Sequence, residues 1–206
     1  VEHPPDHRRR TNPLRGRLVL HGALHHAPAQ AWDLPFRLHL EKKAGESMAH
    51  VVMKALSWWV CARPGLQIEA PADPHYRPDL VDFDADGRPC LWVDCGMTSV
   101  HKLEHLVRTR RSAHVVIVKR TPRDIARYRR GADRHLVRPA AVTWLSFSHG
   151  FVDALAQALW GQHRAIATLA EGDPCRLWLE VDGQLWETDV HVDGHPPWDL
   201  PTPAPR

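Results

Sequence analysis

The chain has 206 residues, 43% hydrophobic and 25% charged, enough to bury one sizeable core, so a single α/β or α+β domain is expected. No apolar run approaches the roughly 18 residues of a membrane span and no charged-then-apolar leader is present, which points to a cytoplasmic protein without a membrane partner. The four cysteines show no CxxC spacing and the sixteen histidines are scattered, so reduced core thiols are expected rather than disulfides or a zinc site.

Residues 1–13 are polar, rich in His, Pro and Arg and without periodicity, and read as a disordered tail. Arg17 to Gly22 and Leu34 to Lys42 read as an antiparallel strand pair; in the second, Phe36, Leu38 and Leu40 alternate with Arg37, His39 and Glu41. Gly45-Glu46-Ser47 then opens a helix whose apolar stripe is Met48, Val51, Val52, Ala55, Leu56 and Trp59, ending before Pro64-Gly65. Glu46 at its start has an ordinary explanation, since a carboxylate favours the positive end of the helix dipole. Leu66 to Ala70 suggests a short strand.

Arg77 to Lys102 is the most informative stretch. Asp86-Gly87 between apolar runs signals a hairpin of Leu80 to Asp84 with Cys90 to Cys95. Symmetric pairing about that dipeptide sets Asp79 opposite Asp94, about 5 Å apart on one sheet face. Two ionised carboxylates there repel by roughly 3 kcal/mol at an effective dielectric of about 20, so a cation, a shared proton or a lysine is called for. Ser99 caps a helix to about Arg111, and Lys102 falls in its first turn, where the dipole disfavours a lysine unless something anionic holds it. His114 to Val118 is a buried strand, parallel to the one ending at Cys95. Thr121-Pro122 starts a short basic helix. Val142 to Phe147 is a strand, and Ser148 caps a helix from His149 to about Gln162. A second hairpin, Arg176 to Val181 with Gln184 to Val192, turns at Asp182-Gly183. Residues 194–206 form a Pro-rich C-terminal tail, with Trp198 as a docking point.

From Lys102 to Arg138 there are twelve Lys/Arg against three Asp/Glu. Such a segment points to DNA or RNA, with a solvated arginine-rich surface as the competing explanation. Arg108, Arg110, Arg111, Arg123, Arg127 and Arg130 are the candidate phosphate contacts. Glu46, Asp79 and Asp94 are candidate ligands of Mg²⁺ or Mn²⁺, since hard carboxylate oxygens without His or Cys suit those ions. Lys102, with Asp79 and Asp94, is the candidate catalytic set, the lysine orienting water or steadying charge.

The order Glu46, Pro78-Asp79, Asp94, Lys102 resembles the PD-(D/E)XK nuclease-like superfamily, and within it the chain is similar to the YaeQ family. The matching pieces are Gly45-Glu46-Ser47, Arg77-Pro78-Asp79-Leu80, Leu91 to Gly96 and Lys102-Leu103. The resemblance implies a restriction-endonuclease-like core over residues 14–193, a mixed central sheet flanked by helices. It also implies either a divalent-metal-dependent nuclease or a non-catalytic relative that binds nucleic acid or a protein. The chain departs from the pattern at Gly96, where the superfamily usually has its lysine, and in having Asp94 where the family more often has Glu.

Overall fold

The structure, a computed structural model, describes residues 16–201; the expected tail over residues 1–13 lies outside the described residues. Strands β1 (Arg17–His26) and β2 (Ala31–Glu41) pair antiparallel as expected, β1 running on past Gly22 and β2 beginning before Leu34. Helix α1 (Met48–Val60) begins at Ser47, whose hydroxyl accepts the His50 N–H at 3.2 Å. Ten of its thirteen residues are buried, so α1 is enclosed on most sides rather than along a single stripe.

After the short β3 (Gln67–Ile68), strands β4 (Leu80–Phe83) and β5 (Pro89–Cys95) form the expected hairpin. Its register is the expected one near the site, with Leu80 facing Val93, but the turn differs. The loop holds three residues, because Asp84 N–H bonds to Arg88 O at 2.9 Å and the Asp84 carboxylate accepts from Asp86 and Arg88. A bulge between Asp82 and Phe83 on their paired strand takes up the extra residue and restores the pairing.

Helix α2 (Val100–Thr109), strand β6 (His114–Val118), helix α3 (Pro122–Ala132) and strand β7 (Val142–Phe147) follow as a parallel β–α–β–α–β run. Helix α4 is shorter than the sequence suggests, Phe151–Ala158, and Gly150 rather than Ser148 stands at its start. The residues expected to continue it lead instead into strand β8 (Gly161–Ala170), which the sequence reading did not anticipate. Its inward residues include Ala165 and Ala167, whose small side chains give little of the β-branched signature of a strand. The last hairpin, β9 (Cys175–Val181) and β10 (Gln184–Asp193), turns on Asp182 and Gly183, both at positive φ, as a two-residue loop requires.

All ten strands of the described residues lie in one mixed sheet, ordered β2-β1-β8-β9-β10-β7-β6-β5-β4-β3. One face packs on α1 and α4 through residues such as Leu20, Leu56, Val93, Leu155 and Leu179. The other face, over β5 to β7, is covered by α2 and α3 around Trp92, Leu106, Ile117 and Trp144. Strand β5 therefore sends Leu91, Val93 and Cys95 towards α1, and Trp92 and Asp94 towards α2. The four cysteines are free thiols. No described helix is long and apolar enough to cross a membrane. Trp198 does dock, its ring centre 5.9 Å from that of His26 in an edge-to-face arrangement, and Arg63 donates to the Pro197 and Leu200 carbonyls at 2.8 and 2.9 Å.

Candidate functional site

Parallel strands β5 and β6 end side by side at Cys95 and Val118, and the chain leaves them for the N-termini of α2 and α3. Asp94, Lys102, Lys119 and Tyr128 gather on the α2/α3 side of these strand ends. Glu46, His50 and Asp79 gather at the start of α1.

Asp94 is 3% exposed. Lys102 Nζ reaches its two oxygens at 2.9 and 2.7 Å, and Trp92 Nε1–H donates to it at 3.1 Å. This is the anionic partner that a lysine in the first turn of a helix calls for. Lys102 is boxed in further by the Arg77 carbonyl at 3.3 Å and by the Trp92 and Tyr76 rings at 5.6 and 5.7 Å. Burial raises the Asp94 pKa; the adjacent Lys102 ammonium opposes the rise and the nearby Asp79 charge adds to it.

Asp79 sits opposite Asp94 in the backbone register, and its N–H bonds to Val93 O at 2.9 Å. Its carboxylate is otherwise engaged. Oδ2 accepts the Cys95 N–H at 2.7 Å, and Oδ1 accepts from His50 Nε2 at 3.0 Å. The same nitrogen lies 3.4 Å from Glu46 Oε1, so His50 links two of the three candidate acids. Glu46 in turn accepts from Lys54 Nζ at 2.6 Å and from the Lys43 N–H at 2.8 Å. Lys54 is only 1% exposed and also donates to Glu69 at 2.7 Å. Burial alone would lower the Lys54 pKa, but its hydrogen bonds to the Glu46 and Glu69 carboxylates and their charges outweigh it, and the net shift is upward.

A divalent ion of the Mg²⁺ class needs free carboxylate oxygens at about 2.0–2.1 Å. Glu46, Asp79 and Asp94 instead spend their oxygens on Lys54, His50 and Lys102. Among the described residues no group of three or more His, Cys, Asp or Glu side chains is arranged to hold a metal. As arranged, the donor set does not fit the ion.

Gly96 is the position where the superfamily pattern places a lysine, and its geometry explains the glycine. Its φ is +71°, and an added Cβ would lie 2.9 Å from His50 Nδ1. One strand over, pairing of Cys95 with Val118 sets Lys119 beside Gly96, and Lys119 Nζ bonds to the Gly96 carbonyl. Its ammonium also lies 4.1 Å from the centre of the Tyr128 ring. Burial lowers its pKa, partly offset by the Asp94 and Asp124 charges.

The candidate arginines divide. Arg110 is committed to Asp73, which it meets through Nε at 3.0 Å and through Nη2, pinning the loop before Arg77. Arg108 stands 3.9 Å from Glu104 on its own helix. Arg111 is exposed beyond α2, while Arg123, Arg127 and Arg130 are exposed along one side of α3 at i, i+4 and i+7. Among the described residues none of those three pairs with a carboxylate.

His50, Lys54, Lys119 and Tyr128 belong to the site and the sequence reading did not select them. Glu46, His50 and Lys54 recur at i, i+4 and i+8, a polar line inside an apolar helix that is visible in the sequence. Lys119 closes the apolar run of β6, a signal of the same kind. Tyr128 carries no local signal.

The family model for the YaeQ protein matches residues 35–190 of the chain. The crystal structure of YaeQ protein from Xanthomonas axonopodis pv. citri superposes with a TM-score of 0.74 at 14% identity, covering 88% of this chain and 99% of that one. That of YaeQ protein from Pseudomonas syringae gives 0.66 at 12% identity, covering 86% and 94%. No curated protein matches the chain.

Proposed function

The chain belongs to the YaeQ family, and from that premise we propose that it is a non-catalytic protein of nuclease-like ancestry that binds the phosphate backbone of DNA or RNA. The observation that carries this is the stripe of Arg123, Arg127 and Arg130 on α3, exposed and without carboxylate partners among the described residues. Arginines that are free of internal partners hold their donors ready for phosphate oxygens, and each phosphate neutralised releases counterions. Arg120 and Arg129, on the same segment, are by contrast tied to Asp153 at 3.0 Å and to Asp133 at 3.3 Å.

On this reading the acids and lysine of the superfamily pattern hold the fold together at the strand ends. Lys102 neutralises Asp94, His50 steadies Asp79, and Glu46 compensates the buried Lys54. No hydrolytic step is assigned to them. Mg²⁺ or Mn²⁺ would have to displace Lys102 and His50 from carboxylates they already satisfy, and Lys102 has little room to withdraw between Trp92 and Tyr76.

Fluorescence anisotropy with labelled DNA and RNA oligonucleotides over a salt series tests the proposal. Affinity should fall steeply with salt, and the triple variant Arg123→Ala/Arg127→Ala/Arg130→Ala should reduce the slope of log K against log salt by about 2–3. All three side chains are exposed, so thermal stability should change by no more than about 0.5 kcal/mol. No binding at low salt, or an unchanged slope in the variant, contradicts it.

A further inference from the structure

Just beyond the carboxyl ends of β5 and β6 lies a cavity of about 710 Å³. Its walls come from residues 96–99 leading into α2, from Lys119 and Arg120 after β6, from one side of α3, and from Met53 of α1. The crevice outside the carboxyl ends of parallel strands is where sheets of this kind receive ligands, and the volume is that of a small-molecule site.

The chemistry of the walls selects the ligand. Lys119 is 8% exposed and its ammonium has three N–H groups. One goes to the Gly96 carbonyl and one side rests on the Tyr128 ring, which leaves a donor for the cavity. Arg127 lines the same space without a carboxylate partner among the described residues. The acid in the lining, Asp124, has one oxygen engaged by the Thr121 hydroxyl at 2.8 Å. Two cations with spare donors therefore face one partly satisfied carboxylate, which suits a compact anion. Beside them, Met53, Met97 and Tyr128 give apolar and aromatic surface, with Met97 fully exposed. A flat ring would cover these side chains favourably.

We propose that this cavity binds a terminal phosphate monoester carried next to a nucleobase, with the phosphate on Lys119 and Arg127 and the base against Met97 and Tyr128. The end of a nucleic-acid strand and a free nucleoside monophosphate share this chemistry. The first source rests on the nucleic-acid reading above, and the second does not.

Two measurements on the full chain decide the matter. In the first, anisotropy compares otherwise identical single-stranded oligonucleotides with a 5′-phosphate, a 3′-phosphate or neither. One phosphorylated end should bind about tenfold tighter than the unphosphorylated strand. Lys119→Met and Arg127→Ala should each abolish that preference. The double variant Arg123→Ala/Arg130→Ala should weaken all three strands alike and keep it. Arg127 is exposed, so its variant decides the question should Lys119→Met fail to fold. Equal affinity for the three strands, or a preference that survives Arg127→Ala, overturns the proposal while leaving backbone binding intact. If no oligonucleotide binds, the nucleic-acid reading fails, and calorimetry with adenosine and uridine monophosphates decides the cavity alone. Binding of a monophosphate that is lost in Arg127→Ala supports it, and no heat of binding overturns it.

Discussion

Lys54 shows how much of the site is organised around a buried charge. An ammonium 1% exposed is sustained by Glu46 at 2.6 Å and Glu69 at 2.7 Å, with Lys43 bonded to Glu69 in turn. Removing one member of a buried ion pair costs about 3–5 kcal/mol when the other is left uncompensated. The double variant Glu46→Ala/Glu69→Ala should therefore lose about that much, by urea unfolding. Lys54→Met should lose less, about 1–2 kcal/mol, because the two carboxylates it leaves lie nearer the surface and can take up water. The opposite order would show that Glu46 does not serve Lys54. Glu46 was selected in the sequence for its place at a helix start, but its partner was not, because a lysine eight residues along a helix normally reaches solvent.

Two histidines contribute to the pH response at the same scale, beside the carboxylates of Glu69 and Asp73, whose pKa values are also lowered. The His114 pKa is lowered to about 4 by burial, with help from the neighbouring His195. Its Nε2–H donates to the Thr143 hydroxyl at 2.7 Å, because that hydroxyl's own proton goes to the His195 carbonyl. Burial also lowers the pKa of His26, whose Nδ1 accepts the Ala29 N–H and whose Nε2–H donates to Val60 O. Both rings stay neutral in the fold and take up protons when it opens. Their contribution is intact above about pH 6.5 and is lost as the pH falls below it, for His114 down to about 4. For His114 this amounts to about 1–2 kcal/mol after allowance for solvent screening. The raised Asp94 pKa acts in the opposite sense, so the comparison with His114→Asn isolates the effect. That variant should lose less stability between pH 6.5 and 4 than the parent, and parallel curves would contradict the assignment.

Among the elements, β8 decides whether the sheet is one or two. It joins β1 in parallel and β9 antiparallel, and so connects the N-terminal hairpin to the rest. The junction is tight at Gly22, where an added Cβ would lie 1.7 Å from the Ala165 carbonyl oxygen. Gly22→Ala should cost about 3 kcal/mol or more by forcing the two backbones apart. A neutral result in thermal unfolding would mean that β1 and β8 do not meet at this position. This strand was not legible because its inward positions include alanines and it follows directly from a helical segment. The β4–β5 hairpin was legible in register and not in its turn: the Asp84 carboxylate draws an extra residue into the loop, and the bulge beside it hides the change. Elements with alternating large apolar residues, such as β2 and β9, were readable from their period alone.

At the scale of the whole molecule, net charge of +3 says little about partners and its distribution says more. The acids of the site are in contact with Lys54, His50 and Lys102, while Arg123, Arg127 and Arg130, without carboxylate partners among the described residues, lie along α3, with Arg127 lining the cavity. Sequence order brought Asp94 and Lys102 together correctly, since a strand end and the next helix start are neighbours by connectivity. The sequence groups Glu46 and Asp79 with Asp94; the structure adds His50 and Lys54, whose places four and eight residues after Glu46 were there to be read but are ordinarily taken as a helix's solvent face. The most direct test of a phosphate-binding protein without metal chemistry is oligonucleotide binding and integrity measured side by side in EDTA and in millimolar Mg²⁺ or Mn²⁺, with Asp94→Asn as control. The expected result is the same affinity at matched ionic strength and intact strands in every condition. Strand cleavage that requires the metal and disappears in Asp94→Asn would contradict it.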